Sequence, residues 1–220
     1  MIFASFPVGP IGANCCIAGC DETKEAVVVD PGAEGSKIVS ALSRLGVSVA
    51  YIINTHGHLD HIGANGELKA ATGARLLIHR LDAAMLTSAE ANLSAFAGQR
   101  VTSPAADAFL EDGQVLKVGK LELRVIHTPG HTPGGICLLV TEPDGRGAEA
   151  VGVSAKRLLT GDTLFAGSVG RTDFPGGSFE TLIRCIKEKI MPFGDDVEVY
   201  PGHGPSTTIG EEREGNPFLV

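Results

Sequence analysis

Two β-sheets packed face to face with helices outside are predicted by three features of this 220-residue sequence. Short apolar runs are punctuated by glycine, a strands-then-helix order occurs in both halves, and the length suits one domain around a sizeable core. We read residues 1–220 as that single domain. The 29 glycines fit a turn-rich chain in which several backbone positions carry no side chain.

The runs IFASF, NCCIAG and EAVVVD read as three strands, the last closing on the turn Asp30-Pro31-Gly32. Residues 34–45 form a predicted helix with Ile38, Leu42 and Leu45 on one face. A buried strand over 50–54 runs into THGHLDH, and a helix follows through Leu68 and Lys69. Residues 76–78 are a short strand, and 81–106, rich in Ala and Ser, mix helix and loop. Residues 114–118 and 121–127 make a hairpin around Gly119 that leads into TPGHTPGG. Strands follow at 136–141 and 157–160, with 142–156 read as a glycine-rich surface excursion between them. The clearest helix is 179–190, where Phe179, Leu182, Ile183, Ile186 and Ile190 share a face and Ser178 is the N-cap. Residues 197–200 form the last expected strand, ending at Pro201-Gly202-His203.

The net charge of -8 and the lack of any long Lys/Arg run argue against a nucleic-acid partner. An acidic protein that binds an anionic substrate must supply local positive charge from a metal or a placed Arg or Lys. No apolar stretch approaches a membrane span. The N-terminal run has no Lys or Arg before Lys24 and is interrupted by Pro7, Gly9, Pro10 and Gly12, which makes a poor signal peptide. Ile17-Ala18-Gly19-Cys20 mimics a lipoprotein cleavage box but lacks the basic start and apolar core. Five cysteines without paired CxxC motifs read as reduced, buried thiols in a cytoplasmic protein.

The chemistry concentrates in His56-Gly57-His58-Leu59-Asp60-His61, directly after an apolar strand. In an extended turn His56 and His58 can face one ion, while Asp60 and His61, at the start of the next helix, can reach a second. His131, Asp162 and His203 repeat the placement: each lies just past an apolar run, beside glycine. Strand-end loops are where a rigid sheet best presents ligands. Imidazole and carboxylate without thiolate suit zinc, iron or manganese. Seven ligands exceed the four of a closed structural zinc site and suit two divalent ions sharing a bridge, zinc being the first expectation. His127, His79 and Asp30 are read as structural or supporting groups. No GxSxG motif marks a serine nucleophile.

THGHLDH, TPGHTPG, TGDTLF and PGHGP, in this order, resemble the successive metal motifs of the metallo-β-lactamase superfamily. The resemblance covers nearly the whole chain and implies an α/β fold, the four-layer αββα sandwich of two mixed sheets flanked by helices. It implies that His56, His58 and His131 hold the first metal, that Asp60, His61 and His203 hold the second, and that Asp162 bridges them. VGRTDFPGGS and PGHGPSTTIGEEREGNPFL are similar to the glyoxalase II branch, specifically its short bacterial form without the C-terminal helical domain. That branch implies hydrolysis of a small-molecule glutathione thioester, S-lactoylglutathione to D-lactate and glutathione. Asp60 would orient the attacking hydroxide while serving as a ligand. Arg171, in GSVGRTDF nine residues beyond Asp162, is the candidate grip for a substrate carboxylate.

Two other readings are open. The GRTDF stretch also resembles a persulfide dioxygenase of the same fold, with one iron at His56, His131 and Asp162. A non-catalytic metal-binding protein is the alternative from another class. A lactonase, a β-lactamase or a nuclease fits less well, for lack of an export signal or a basic surface.

Overall fold

The alternation of side chains along β3 (Glu25–Val29) explains the architecture: Ala26 and Val28 enter one buried cluster, Val27 and Val29 another. A strand buried on both faces must lie between two layers. The computed structural model describes residues 1–142 and 156–219. Its first sheet runs in chain order through β1 (Ile2–Val8), β2 (Ala13–Gly19), β3, β4 (Ser48–Ile53), β5 (Arg75–His79) and β6 (Ala108–Leu110). Strands β1 to β3 are antiparallel, and β3 to β6 are parallel.

The second sheet holds β7 (Val115–Val118), β8 (Leu121–His127), β9 (Ile136–Thr141) and β10 (Arg157–Gly161) as an antiparallel run. A two-stranded ribbon follows, β11 (Leu164–Phe165) with β12 (Ser168–Val169). The sheet is then completed by β13 (Glu198–Pro201), parallel to β10, and β14 (Thr207–Thr208).

Helices cover both outer faces. Ile38 and Leu42 of α1 (Gly35–Leu45) pack with Ile17, Val28 and Ile52 of the first sheet. The helix α2 (Leu59–Ile62) begins inside the histidine motif and carries Asp60 and His61, and α3 (Asn65–Thr72) follows. On the other side, Leu182 of α4 (Phe179–Cys185) packs with Leu158 and Val199. Ile209 of α5 (Ile209–Gly215) belongs to the same cluster. Val27, Ile53, Leu123 and Leu138 fill the space between the sheets. The result is the expected four-layer αββα sandwich.

Some local expectations change. The 179–190 helix starts at the Ser178 cap, whose hydroxyl accepts from Thr181 N–H, but its last turn widens into a π-helix over Ile186–Ile190. Residues 197–200 are not the last strand, since β14 and α5 follow. Within 81–106 the regular piece is a 3₁₀ stretch, Arg80–Leu86. The excursion expected at 142–156 falls almost wholly outside the described residues. Among the described residues no helix is long and apolar enough to cross a membrane.

Candidate metal centre

Four loops at the carboxyl ends of β4, β8, β10 and β13 bring the seven expected side chains together. His56, His58 and His131 have ligand atoms within 4.8 Å of one another, and so do Asp60, His61 and His203. Asp162 lies between these trios. One of its oxygens is 3.5 Å from His61 Nε2, and the other is 3.5 Å from His131 Nε2 and 3.8 Å from His203 Nε2. His56 also groups with His61 and Asp162, so the two trios share a common wall.

Local backbone features aim these groups. The pairing of β10 with β13 shifts register between Leu159 and Gly161, and Gly161 takes φ 47°, so the strand bends just before Asp162. Gly202 precedes His203, and a β-carbon there would collide with the Asp162 carboxylate. Gly57 separates the first two histidines because a β-carbon would strike Met85. The first sheet also holds the last loop. Asn14 Nδ2 donates to the carbonyls of Pro201 and Gly204, and Ala13 bridges His203.

Outer hydrogen bonds decide which ring nitrogens are bare. Thr55 Oγ1 donates its hydrogen to Asp30 at 2.6 Å, so it can only accept from His56 Nδ1 at 3.1 Å. That leaves the lone pair of His56 on Nε2. His131 Nδ1 donates to the Arg171 carbonyl at 2.7 Å, which leaves its lone pair on Nε2, 2.9 Å from His58 Nδ1. Asp30 also sits 3.1 Å from His61 Nδ1 and accepts from Thr55 N–H. Such partners fix tautomer and ring direction in metal sites.

The donor set fits cations. His56 Nε2, His61 Nε2 and Asp162 Oδ1 are buried and make no hydrogen bond. Orphaned buried polar atoms are costly unless an ion or water satisfies them. Burial and the neighbouring imidazoles hold His56 well below the usual histidine range and His58 at about 3, the neutral form that can donate a lone pair. Burial would also lower His61, but the carboxylates of Asp30, Asp162 and Asp60 outweigh it and raise this imidazole to about 10. Burial alone would raise Asp60, yet His203 and His61 hold it well below the usual carboxylate range. The pocket therefore calls for positive charge beside three acidic groups. Imidazole nitrogen and carboxylate oxygen suit divalent zinc, iron or manganese.

Two supports escaped the sequence reading. Asp82, buried in the 3₁₀ stretch, accepts from Gly57 N–H, from Thr132 Oγ1 at 2.7 Å and from Gly134 N–H at 2.6 Å. It ties the loop of His56 and His58 to the loop of His131. Nothing in the irregular 81–106 segment singles it out by pattern. Glu212, buried in α5, accepts from Gly167 N–H and Thr207 Oγ1 and so braces the β11–β12 ribbon. The capping box Thr208-Ile209-Gly210-Glu211 was a legible signal for that helix.

The cluster opens on a cleft of about 960 Å³. His58, Asp60, His131, Asp162 and His203 line its floor, and Arg171 stands at its side. The Arg171 guanidinium makes two 2.7 Å hydrogen bonds to Asp173 and lies 3.9 Å from the Phe174 ring centre. His127 and His79 lie outside the cluster, stacked on each other with ring centres 4.1 Å apart.

Residues 8–144 match the metallo-beta-lactamase superfamily, and this chain belongs to it. Members of that superfamily are mostly metal-dependent hydrolases. Among its relatives is hydroxyacylglutathione hydrolase GloC of Haemophilus influenzae, 37% identical over 97% of this chain and 95% of that protein. The B3 metallo-beta-lactamase BLEG-1 superposes with a TM-score of 0.88 at 35% identity, covering both chains fully. TTHA1623, solved in a di-iron-bound form, superposes with a TM-score of 0.81 at 32% identity, over 98% of this chain and all of the other.

Proposed function

We propose that the protein is a dinuclear metal-dependent thioester hydrolase, with S-lactoylglutathione, cleaved to D-lactate and glutathione, as the leading substrate. The observation that carries this reading is the position of Asp162, whose carboxylate lies 3.5–3.8 Å from imidazoles of both trios on the floor of an open cleft. The likeness to GloC supports the thioester, and the di-iron relative supports a two-ion site.

In this reading His56, His58 and His131 hold one cation, Asp60, His61 and His203 the other, and Asp162 both. Zinc is the first choice by donor chemistry, with iron next. When bound, the two cations supply Lewis acidity, lowering the pKa of water from about 16 to about 7 and stabilising charge on the carbonyl oxygen. Asp60, partly open to the cleft, accepts a hydrogen bond from the attacking water and aims it. Arg171 offers its guanidinium to a substrate carboxylate in exchange for Asp173. No cysteine lines the cleft among the described residues, so no thiol nucleophile is invoked. Five free, buried cysteines accord with a reducing cytoplasm.

Metal analysis paired with hydrolysis of S-lactoylglutathione tests this. Two equivalents of metal and thioester turnover are expected. One iron per chain with oxygen uptake on glutathione persulfide would point instead to a dioxygenase. A metal-loaded protein inert to thioesters, persulfides and lactones would be a metal-binding protein without catalysis.

A further inference from the structure

We propose that the cleft beside the metal cluster is built for an apolar acyl arm, so that the thioesters this chain cleaves best carry aliphatic or aromatic acyl groups larger than lactoyl. This rests on the hydrolase reading above and names the substrate class of the same site.

The Phe174 ring stands edge-on to His58 with ring centres 5.6 Å apart, and Phe165 stands edge-on to His203 at 6.3 Å. A carbonyl brought to the cluster therefore lies between two aromatic rings. Farther out the wall continues through Ile11, Leu93 and Phe96. Phe96 is 81% exposed and Ile11 53% exposed. Large apolar side chains gathered at a concave surface mark a site that something apolar covers.

This outer wall is held in place. Leu93 has φ 70°, in the left-handed region that a branched side chain rarely adopts. Asn92 fixes the turn: its Oδ1 accepts from Ser94 N–H, and its Nδ2 donates to the carbonyls of Met85 and Val101. Residue strain of this kind persists only where the surroundings enforce it, and it concentrates at functional surfaces.

Charge decides which arm of the substrate enters. Apart from the histidines, Arg171 is the one cationic side chain among the described residues lining the cleft, and once released from Asp173 it can meet only one carboxylate. A glutathionyl arm, with two carboxylates and peptide groups, finds few partners there. A neighbouring cavity of about 470 Å³ shares Ile11, Leu59 and Asp60 with the cleft and offers Gln99, Thr102 and Arg100, which lies 3.7 Å from Glu90, together with Glu34, whose carboxylate is held by Lys37 and Gly9 N–H. The polar thiol arm suits that side, and the acyl arm suits the aromatic side. The reaction balances as simple hydrolysis. Water adds to the thioester carbonyl, the C–S bond breaks, the acyl carbon keeps the new oxygen as a carboxylic acid, and the sulfur leaves as thiol with the second proton.

The test is a series of acyl glutathiones, lactoyl, butyryl, hexanoyl and phenylacetyl, assayed with the metal-loaded protein. In parallel, binding of the inert thioethers S-methylglutathione and S-hexylglutathione is measured by calorimetry. Each buried methylene is expected to raise kcat/KM about fourfold. S-hexylglutathione should bind more tightly than its methyl analogue by about fourfold for each of the first few methylenes. Phe96→Ser, a change at an exposed position, should roughly halve the gain per methylene. A kcat/KM that stays flat or falls from lactoyl to hexanoyl overturns the proposal. If no thioester is cleaved but the hexyl ligand still binds more tightly, the apolar arm site stands and the hydrolase reading falls. If the thioesters are cleaved without discrimination, the hydrolase reading stands and the apolar arm site falls; if none is cleaved and neither ligand is preferred, both fall.

Discussion

The two halves of the metal cluster are supported differently. His56, His58 and His131 are buried, and two of them are oriented from behind by Thr55 and the Arg171 carbonyl. Asp60 and His203 are partly open to the cleft, and their side chains hold each other at 3.1 Å. Only His61 of that trio is fully buried, beside Asp30. One fold thus serves two demands. A closed, prealigned trio suits tight retention of a cation, whereas an open trio leaves room for water and substrate.

The largest effect should come from Asp162, the group common to both halves. Asp162→Ala is expected to remove both cations and to lower turnover by about 10³-fold or more. Full metal content and activity in that variant would falsify the bridging assignment. His203→Ala beside His58→Ala tests whether the two halves differ. We expect His203→Ala to retain about one equivalent of metal after dialysis, with activity reduced about 100-fold, while His58→Ala loses the more tightly held ion. Equal retention in the two variants would show that the halves do not differ.

Asp82→Asn tests the closed half from outside. The amide keeps the size but replaces one acceptor oxygen with an NH₂, which then faces either the Gly134 N–H at Oδ1 or the Gly57 N–H and Thr132 hydroxyl at Oδ2. Affinity at the tighter site should drop about 10–100-fold, read by chelator competition and by a changed cobalt(II) absorption spectrum. Weakening of the looser site alone would contradict the bracing role. The smallest effect concerns Arg171, which on the proposed reading would meet substrate only at its periphery. Arg171→Ala should raise KM a few-fold and change kcat less, because its backbone carbonyl still holds His131. An unchanged KM would remove its side chain from the site.

Much of this was readable along the chain. His56, His58, Asp60 and His61 declare themselves by density and by position after a strand, and the other three expected ligands by glycine and a preceding apolar run. The sheet strands longer than three residues announce themselves by apolar character. Shorter pieces did not: β6, β11, β12 and β14 have two or three residues each and carry too little periodicity to stand out. Asp82 and Asn14 were silent because their role is to satisfy backbone groups far away in sequence, which leaves no local pattern.

What the sequence alone determined is the kind of chemistry: nitrogen and oxygen donors, their clustering at strand ends, and the class of fold that could gather them. Those properties are local, written in residue type and spacing over a few positions. It took the folded chain to reveal that Asp162 faces both trios, that Asp82 locks two ligand loops together, and that aromatic rings flank the opening. Each depends on contacts between segments tens of residues apart, which exist only once the two sheets have packed and buried their shared core.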